Sequence, residues 1–127
     1  MEFSKANINI LGTEYTIAIV SCDKDTAFER NNIDGYCDFY TKQIVICDLN
    51  TWKRWENESQ ETKNIAMKES IKHEIVHAFL NESGLDSSSC VFDGGWAINE
   101  EMVDWIAKQG EKIYKAWQEI FKKLLTN

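Results

Sequence analysis

The order of apolar and polar positions splits the chain into a strand-like first half and a helix-like second half. Ile8-Asn9-Ile10-Leu11 and Tyr15-Thr16-Ile17-Ala18-Ile19-Val20 are β-rich runs around Gly12-Thr13-Glu14, which predicts a hairpin. Asp23 to Asn32 is polar apart from Ala27-Phe28 and reads as a short helix or a loop. After an Asp34-Gly35 turn, Tyr36 to Tyr40 and Gln43-Ile44-Val45-Ile46-Cys47 predict a second hairpin, turning near Thr41-Lys42. The run from Gln43 to Cys47 is almost all apolar, which suits a strand buried on both faces.

From about Thr62 to Asn81 there is neither Gly nor Pro, and Met67, Ile71, Ile75 and Phe79 recur every four residues. That row predicts the apolar stripe of an amphipathic helix. Ser83-Gly84 ends it, with Gly84 suited to a C-terminal cap. Leu85 to Gly95 reads as a Ser- and Gly-rich loop. A further helix starts near Trp96 and runs to about Lys108, where Gly110 is expected to kink or break it. Beyond it, Ile113, Trp117, Ile120, Phe121 and Leu124 again fall on one helix face. Strands followed by helices, without alternation, is an α+β order. No Pro, low-complexity run or internal repeat marks a boundary, so residues 1–127 read as one domain.

Charge narrows the function. The chain carries 21 acidic against 14 basic residues, a net charge of −7. Nucleic-acid binding needs a basic patch to replace the counterions around phosphate, so that class is excluded. No apolar run approaches the ~20 residues that span a bilayer, and the first residues lack a signal-peptide h-region. These features predict a cytoplasmic protein without a membrane partner. Cys22, Cys37, Cys47 and Cys90 are scattered and form no CxxC, and read as reduced, mostly buried thiols. Trp52-Lys53-Arg54-Trp55 reads as a helix start packing two indoles.

The chemistry lies in the middle of the long helix. The only two His are His73 and His77, in His73-Glu74-Ile75-Val76-His77, an HExxH motif. At i and i+4 both imidazoles project from one helix face and can ligate one metal, while Glu74 reaches a water on it. Two His placed at random among 127 positions fall four apart in roughly 1.5% of cases. A Glu follows the first in about a tenth of those, since 13 of 127 residues are Glu. The bland alternative, two His on a solvated face, conflicts with Ala66, Val76 and Leu80 on the same side of the helix. A catalytic zinc site has three protein ligands and an open position, so the third must be a carboxylate or a thiolate here. The metzincin pattern is excluded, because Leu80 stands at its Gly position and Ser83 at its third His. Downstream, Glu100 and Asp104 are four apart on a predicted helix and face the same way. Glu100 can ligate, and Asp104 can accept the distal N–H of a ligand His. Alone, that pair would be a solvated acidic first turn, favoured there by the helix dipole.

His73-Glu74-x-x-His77 followed by Asn99-Glu100-x-x-x-Asp104 resembles the gluzincins, thermolysin-type metallopeptidases with HExxH and a downstream NExxxD helix. The resemblance implies zinc held by His73, His77 and Glu100, Glu74 as general base and Asp104 behind a ligand His. With 22 residues between His77 and Glu100, it is similar to the compact forms: minigluzincins and the ImmA/IrrE-type proteins of bacteria and prophages. It spans roughly Gln43 to Lys108 and implies a minimal zincin-like domain, with Gln43–Cys47 as the strand that pairs with extended peptide. The thermolysin type also uses a further His in its transition state, which this chain lacks. Tyr36, Tyr40, Tyr114 and Lys115 are candidates for that place. Cys90, in the loop between the ligand helices, offers a thiolate that can bind and silence the zinc, although a free loop Cys is the commoner case. Two functions stand: a zinc metalloendopeptidase acting on peptide or protein, and a non-catalytic zinc-stabilised regulatory module of the same fold. The sequence leaves the oligomeric state open.

Overall fold

In a computed structural model, which describes residues 4–85 and 96–125, both hairpins form and then join into one sheet. Strands β1 (Ser4–Ile10) and β2 (Thr13–Ser21) pair antiparallel, as do β3 (Gly35–Asp38) and β4 (Gln43–Asp48). β2 and β4 pair parallel, from Thr16 opposite Gln43 to Ser21 opposite Asp48, which gives the order β1-β2-β4-β3. A parallel neighbour requires a crossover. Residues 22–34, with a 3-10 turn at Cys22–Lys24 and the short helix α1 (Ala27–Asn31), carry the chain past the place of β4 to β3, and the second hairpin then returns β4 between β3 and β2. The first hairpin turns on Leu11 and Gly12, at φ of 50° and 92°, the left-handed pair that matches strand twist. In the second, Asp38 Oδ1 accepts from the Tyr40 and Thr41 N–H groups at 3.0 and 3.2 Å.

Each face of the sheet has its own cover. Ile17, Ile44 and Cys37 lie side by side across three strands, as do Ile19, Ile46 and Gly35. Helix α2 (Gln60–Glu82) lies on that face, with Ile71, Ile75 and Ala78 packed against Ile10, Tyr15, Ile44 and Ile46. The opposite face carries Val20, Tyr36, Val45 and Cys47 against Phe28 of α1, Leu49 and Trp52. β4 is thus covered on both sides, as its unbroken apolar run predicts. The architecture is a mixed α+β one, a four-stranded sheet with helices. Cys22, Cys37 and Cys47 are free thiols, and burial pushes Cys37 and Cys47 up to about 12.

The helices depart from expectation in three places. α2 is capped by Ser59, whose Oγ accepts from the Thr62 N–H at 3.1 Å, and it ends at Gly84 with φ 84°. Its inner row, however, runs through Ser70, Glu74 and Ala78, and Phe79 is 40% exposed. A row taken every fourth residue advances about 40° per step around a 3.6-residue helix, so by Phe79 it has left the buried face. Helix α3 (Glu100–Leu125) follows a 3-10 turn at Trp96–Ile98 and runs unbroken through Gly110. Glycine in a helix interior costs only about 1 kcal/mol relative to Ala and keeps its N–H, so it need not end the helix. Lys53–Trp55 is a single 3-10 turn ahead of α2, not its start, although both indoles do pack into the second cluster. The expected loop from Leu85 to Gly95, Cys90 included, lies outside the described residues except for Leu85. Among the described residues no helix is long and apolar enough to cross a membrane.

The end of α2 is tied to the sheet by Glu82. Its Oε1 accepts from Tyr15 Oη and Lys42 Nζ, both at 2.7 Å, and its Oε2 from Thr13 Oγ1 at 3.1 Å. The hydrogen bond from Lys42, with those from Tyr15 and Thr13, holds the carboxyl down at about 2. A carboxyl lowered on folding stabilises the fold above its ordinary pKa and loses that contribution as pH falls towards the folded value. Glu82→Gln is therefore expected to cost about 1 kcal/mol or more at pH 7. The deficit should shrink steadily below pH 4.5, as measured by urea unfolding across pH.

Candidate metal centre

Where α2 sits on the sheet decides what its motif residues face. With Ile71, Ile75 and Ala78 turned to the strands, Glu74 points inward and is only 7% exposed. His73 and His77 then lie to one side, along the flank met by α3. The two helices run in opposite directions there, since His77 meets Glu100 and His73 meets Asp104. Leu80, Ala97 and Val103, with Val76 and Met102, form a small core that holds α3 against this flank. The His-bearing side is therefore a packed one, as Val76 and Leu80 indicate in the sequence. Asn99 caps α3, its Oδ1 accepting from the Met102 N–H at 2.9 Å, which sets Glu100 at the first position of the helix.

The donor atoms converge. His73 Nε2 and His77 Nε2 are 3.1 Å apart. Glu100 Oε2 is 2.8 Å from His73 Nε2, and Glu100 Oε1 is 3.1 Å from His77 Nε2. A tetrahedral zinc with 2.0–2.1 Å bonds separates its ligand atoms by about 3.3 Å, close to this triangle. Asp104 Oδ1 lies 2.6 Å from His73 Nδ1. An ionised carboxylate only accepts, so Nδ1 carries the proton and Nε2 turns its other side to the cluster. Two imidazoles and two carboxylates around one point call for a positive charge there, and a proton on His73 or a metal cation can supply it. Burial works against a charged His73, but the Asp104 hydrogen bond and the charges of Glu74, Glu100 and Asp104 outweigh it, and its pKa is raised. Glu74 is a second candidate donor, since its ligand atom and those of both His all lie within 4.8 Å of one another. Its Oε1 is 3.7 Å from His73 Nε2, farther than Glu100, so Glu100 is the better placed third ligand.

Compared with known protein families, curated proteins and solved structures, the chain matches none. What the site can do is read from its own atoms. A cleft of about 880 Å³ opens over it, lined on the sheet side by Asp34, Gly35, Tyr36, Cys37 and Phe39 and on the helix side by the motif residues. The strand along the cleft is β3, not β4 as expected. β4 is hydrogen-bonded on one side to β2 and on the other to β3, so it has no free edge for a peptide. A Cβ at Gly35 would stand 2.9 Å from Ile46 Cδ1 and 3.3 Å from the Val45 carbonyl oxygen, both on β4, so a larger residue would crowd that strand, whereas Glu74 Cγ at 3.7 Å would be in ordinary contact.

Sequence reasoning brought His73, Glu74, His77, Glu100 and Asp104 to one site, and all five meet there. The candidates for a transition-state donor fare otherwise. Tyr36 lines the cleft, but its hydroxyl donates to Asp25 Oδ2 at 2.5 Å, and burial together with that bond raises it to about 12. Tyr40 is 99% exposed on the hairpin turn. Tyr114 and Lys115 lie beyond the cleft, and Lys115 Nζ pairs with Glu111 at 3.0 Å. Lys108 lines the cleft and was missed, though its position four after Asp104 and eight after Glu100 was the available signal.

Burial, opposed by His73 and reinforced by Glu100 and Asp34, raises Glu74 from 4.5 to about 7. A carboxyl raised on folding leaves stability untouched below its unfolded pKa and subtracts from it progressively up to the folded value. At about 1.4 kcal/mol per pH unit, the full cost above pH 7 is about 3 kcal/mol. Metal-free Glu74→Gln is expected to equal wild type in urea unfolding near pH 4.5. By pH 8 it should be the more stable protein, by up to that amount.

Proposed function

We propose that the chain is a small zinc metallopeptidase of gluzincin type, with a minimal zincin-like fold. The observation that carries this reading is the convergence of His73 Nε2, His77 Nε2 and Glu100 at 2.8–3.1 Å beside a buried carboxylate. Zinc, when bound, supplies a Lewis acid that polarises a carbonyl and lowers the pKa of water towards ~7. His73, His77 and Glu100 would hold it, with Asp104 fixing the His73 ring through Nδ1. Glu74 takes the proton of the attacking water and returns it to the departing amine, a role suited to a carboxyl poised near neutrality. The edge of β3, unpaired on its outer side among the described residues, offers backbone groups to an extended peptide or protein substrate lying in the cleft.

A non-catalytic, zinc-stabilised regulatory or binding module is the second reading. It is favoured by the engagement of the Tyr36 hydroxyl with Asp25, which leaves the cleft without a tyrosine donor for a developing oxyanion.

Purified protein is expected to carry one zinc per chain by elemental analysis. His77→Ala and Glu100→Ala should lose most of that affinity, and Glu101→Ala, about 100° around the helix, should not. Equal losses at Glu100 and Glu101 would place the ligand register wrongly. Affinity should also fall with pH once His73 begins to hold a proton, since proton and metal compete for the same nitrogen.

Glu74→Gln tests the chemistry. The amide is nearly isosteric but cannot accept the proton of water, so peptide-library cleavage should drop by on the order of 10³-fold or more with zinc retained. Cleavage that survives the substitution would remove Glu74 as base. Zinc-loaded wild type that cleaves no library peptide would favour the module.

A further inference from the structure

One end of the cleft lies beside the first half of α2, where Ile33, Tyr36 and Ala66 line it and also pack on the cluster of Phe28 and Trp52. They form a partly buried, apolar wall. Asp34 belongs to the same wall, between Ile33 and the start of β3. Its carbonyl accepts from the Cys47 N–H at 2.9 Å, which fixes the backbone there. Each of the other carboxylates lining the cleft has a partner. Glu100 and Asp104 meet the imidazoles, Glu74 stands 3.7 Å from His73, and Glu69 stands 3.8 Å from Lys72. Among the described residues the half-buried Asp34 carboxylate has neither a cation nor a hydrogen-bond donor. Lys108, the one lysine lining the cleft, stands on the helix side and makes no ion pair with it. A carboxylate drawn partly out of water gains from a cation, and the chain supplies none at this place.

We propose that the peptide held in this cleft carries a basic side chain, Arg or Lys, and that Asp34 is the residue that selects it. This deepens the metallopeptidase reading, and rests on it for a peptide being what the cleft holds. A long basic side chain has the two parts this wall calls for. Its aliphatic stem lies on Ile33, Tyr36 and Ala66, and its charged head pairs with Asp34. Arg suits the place better than Lys, because a guanidinium donates twice to one carboxylate and lies flat on an aromatic ring. The charge of the whole cleft favours the same ligand. Five carboxylates line it against Lys108. A divalent metal with both imidazoles neutral therefore leaves it negative, whether or not Glu74 holds a proton. A cleft of one sign concentrates ligands of the other. An acidic side chain at the same place would face the Asp34 carboxylate and be rejected. Asp34 is thus a specificity determinant and takes no part in proton transfer.

Peptide binding tests this without turnover. The probes are fluorescent peptides of one sequence with Arg, Lys, Gln or Glu placed at each position in turn. Their anisotropy is read with the full chain carrying Glu74→Gln, in the presence of zinc. At one position Arg should bind roughly 10- to 100-fold more tightly than Gln, and Glu more weakly than Gln. Adding Asp34→Asn should bring Arg and Gln within about 3-fold of each other, and Asp34→Lys should place Glu ahead of Arg. Glu14→Gln removes the same charge from an exposed hairpin position and should leave the Arg preference intact. Circular dichroism checks that each variant keeps the fold. Should Asp34→Asn unfold, Asp34→Lys decides, and should both unfold, the preference of the unaltered cleft decides alone. Binding of none of the peptides, or no preference for Arg or Lys at any position, overturns the proposal. So does a preference that survives both Asp34 variants or falls equally with Glu14→Gln. Peptides bound with this preference but never cleaved by wild type would leave Asp34 its role and remove the peptidase reading, and cleavage without the preference would do the reverse.

Discussion

The rotational setting of α2 on the sheet governs the rest of the molecule. Ile71, Ile75 and Ala78 bury against the isoleucines of β2 and β4, and this fixes the direction of every other side chain on the helix. Glu74 lies on the same inner arc and is carried under the surface. His73 and His77 lie about 100° and 60° to one side of it, far enough round to meet α3 yet close enough to share a centre with Glu74. A rotation of one residue in one sense would carry Glu74 round to the place His73 holds, and in the other would bring the His73 imidazole into the place of Glu74. The core cluster and the candidate metal centre are therefore two outcomes of one packing choice.

The electrostatics of the site follow from that placement. Burying a carboxylate beside two others is unfavourable, and the strain is visible in the raised pKa values of Glu74 and His73. Both shifts are relieved by one positive charge at the centre of the cluster. At the other end of α2, Glu82 has cationic and hydroxyl donors of its own and is driven the opposite way. One helix thus carries a carboxylate that stabilises the fold when ionised and another that destabilises it, 8 residues apart in the sequence. The first anchors the helix. The second lies in the candidate metal centre.

Much of this was legible in the residues, for local reasons. The hairpin turns, the capping Gly84 and the unbroken apolar β4 depend on neighbours a few positions away. His73, Glu74 and His77 share a face by helical period alone, as do Glu100 and Asp104. What the sequence did not disclose depends on long-range pairing. The parallel contact of β2 with β4 moves β3 to the edge, so the strand facing the cleft is the one carrying Gly35. Lys108 enters the cleft only because α3 runs antiparallel along α2. The straight passage of α3 through Gly110 reflects a penalty of ~1 kcal/mol, which tertiary packing of the first turns can offset.

That same glycine divides α3 into halves held by different means. Before it, the helix leans on Leu80 and Val76 and shares the cooperativity of the core. After it, residues 111–125 are almost all exposed among the described residues, and a helix of that length is marginal in water, supported here by the Glu111–Lys115 and Glu119–Lys123 pairs and intrinsic propensity. Amide protons beyond Gly110 should thus exchange through local fraying, while those near Val103 exchange only with opening of the core. Any contact that covered its exposed apolar side would order the segment as it formed, so binding and helix ordering there would be one step.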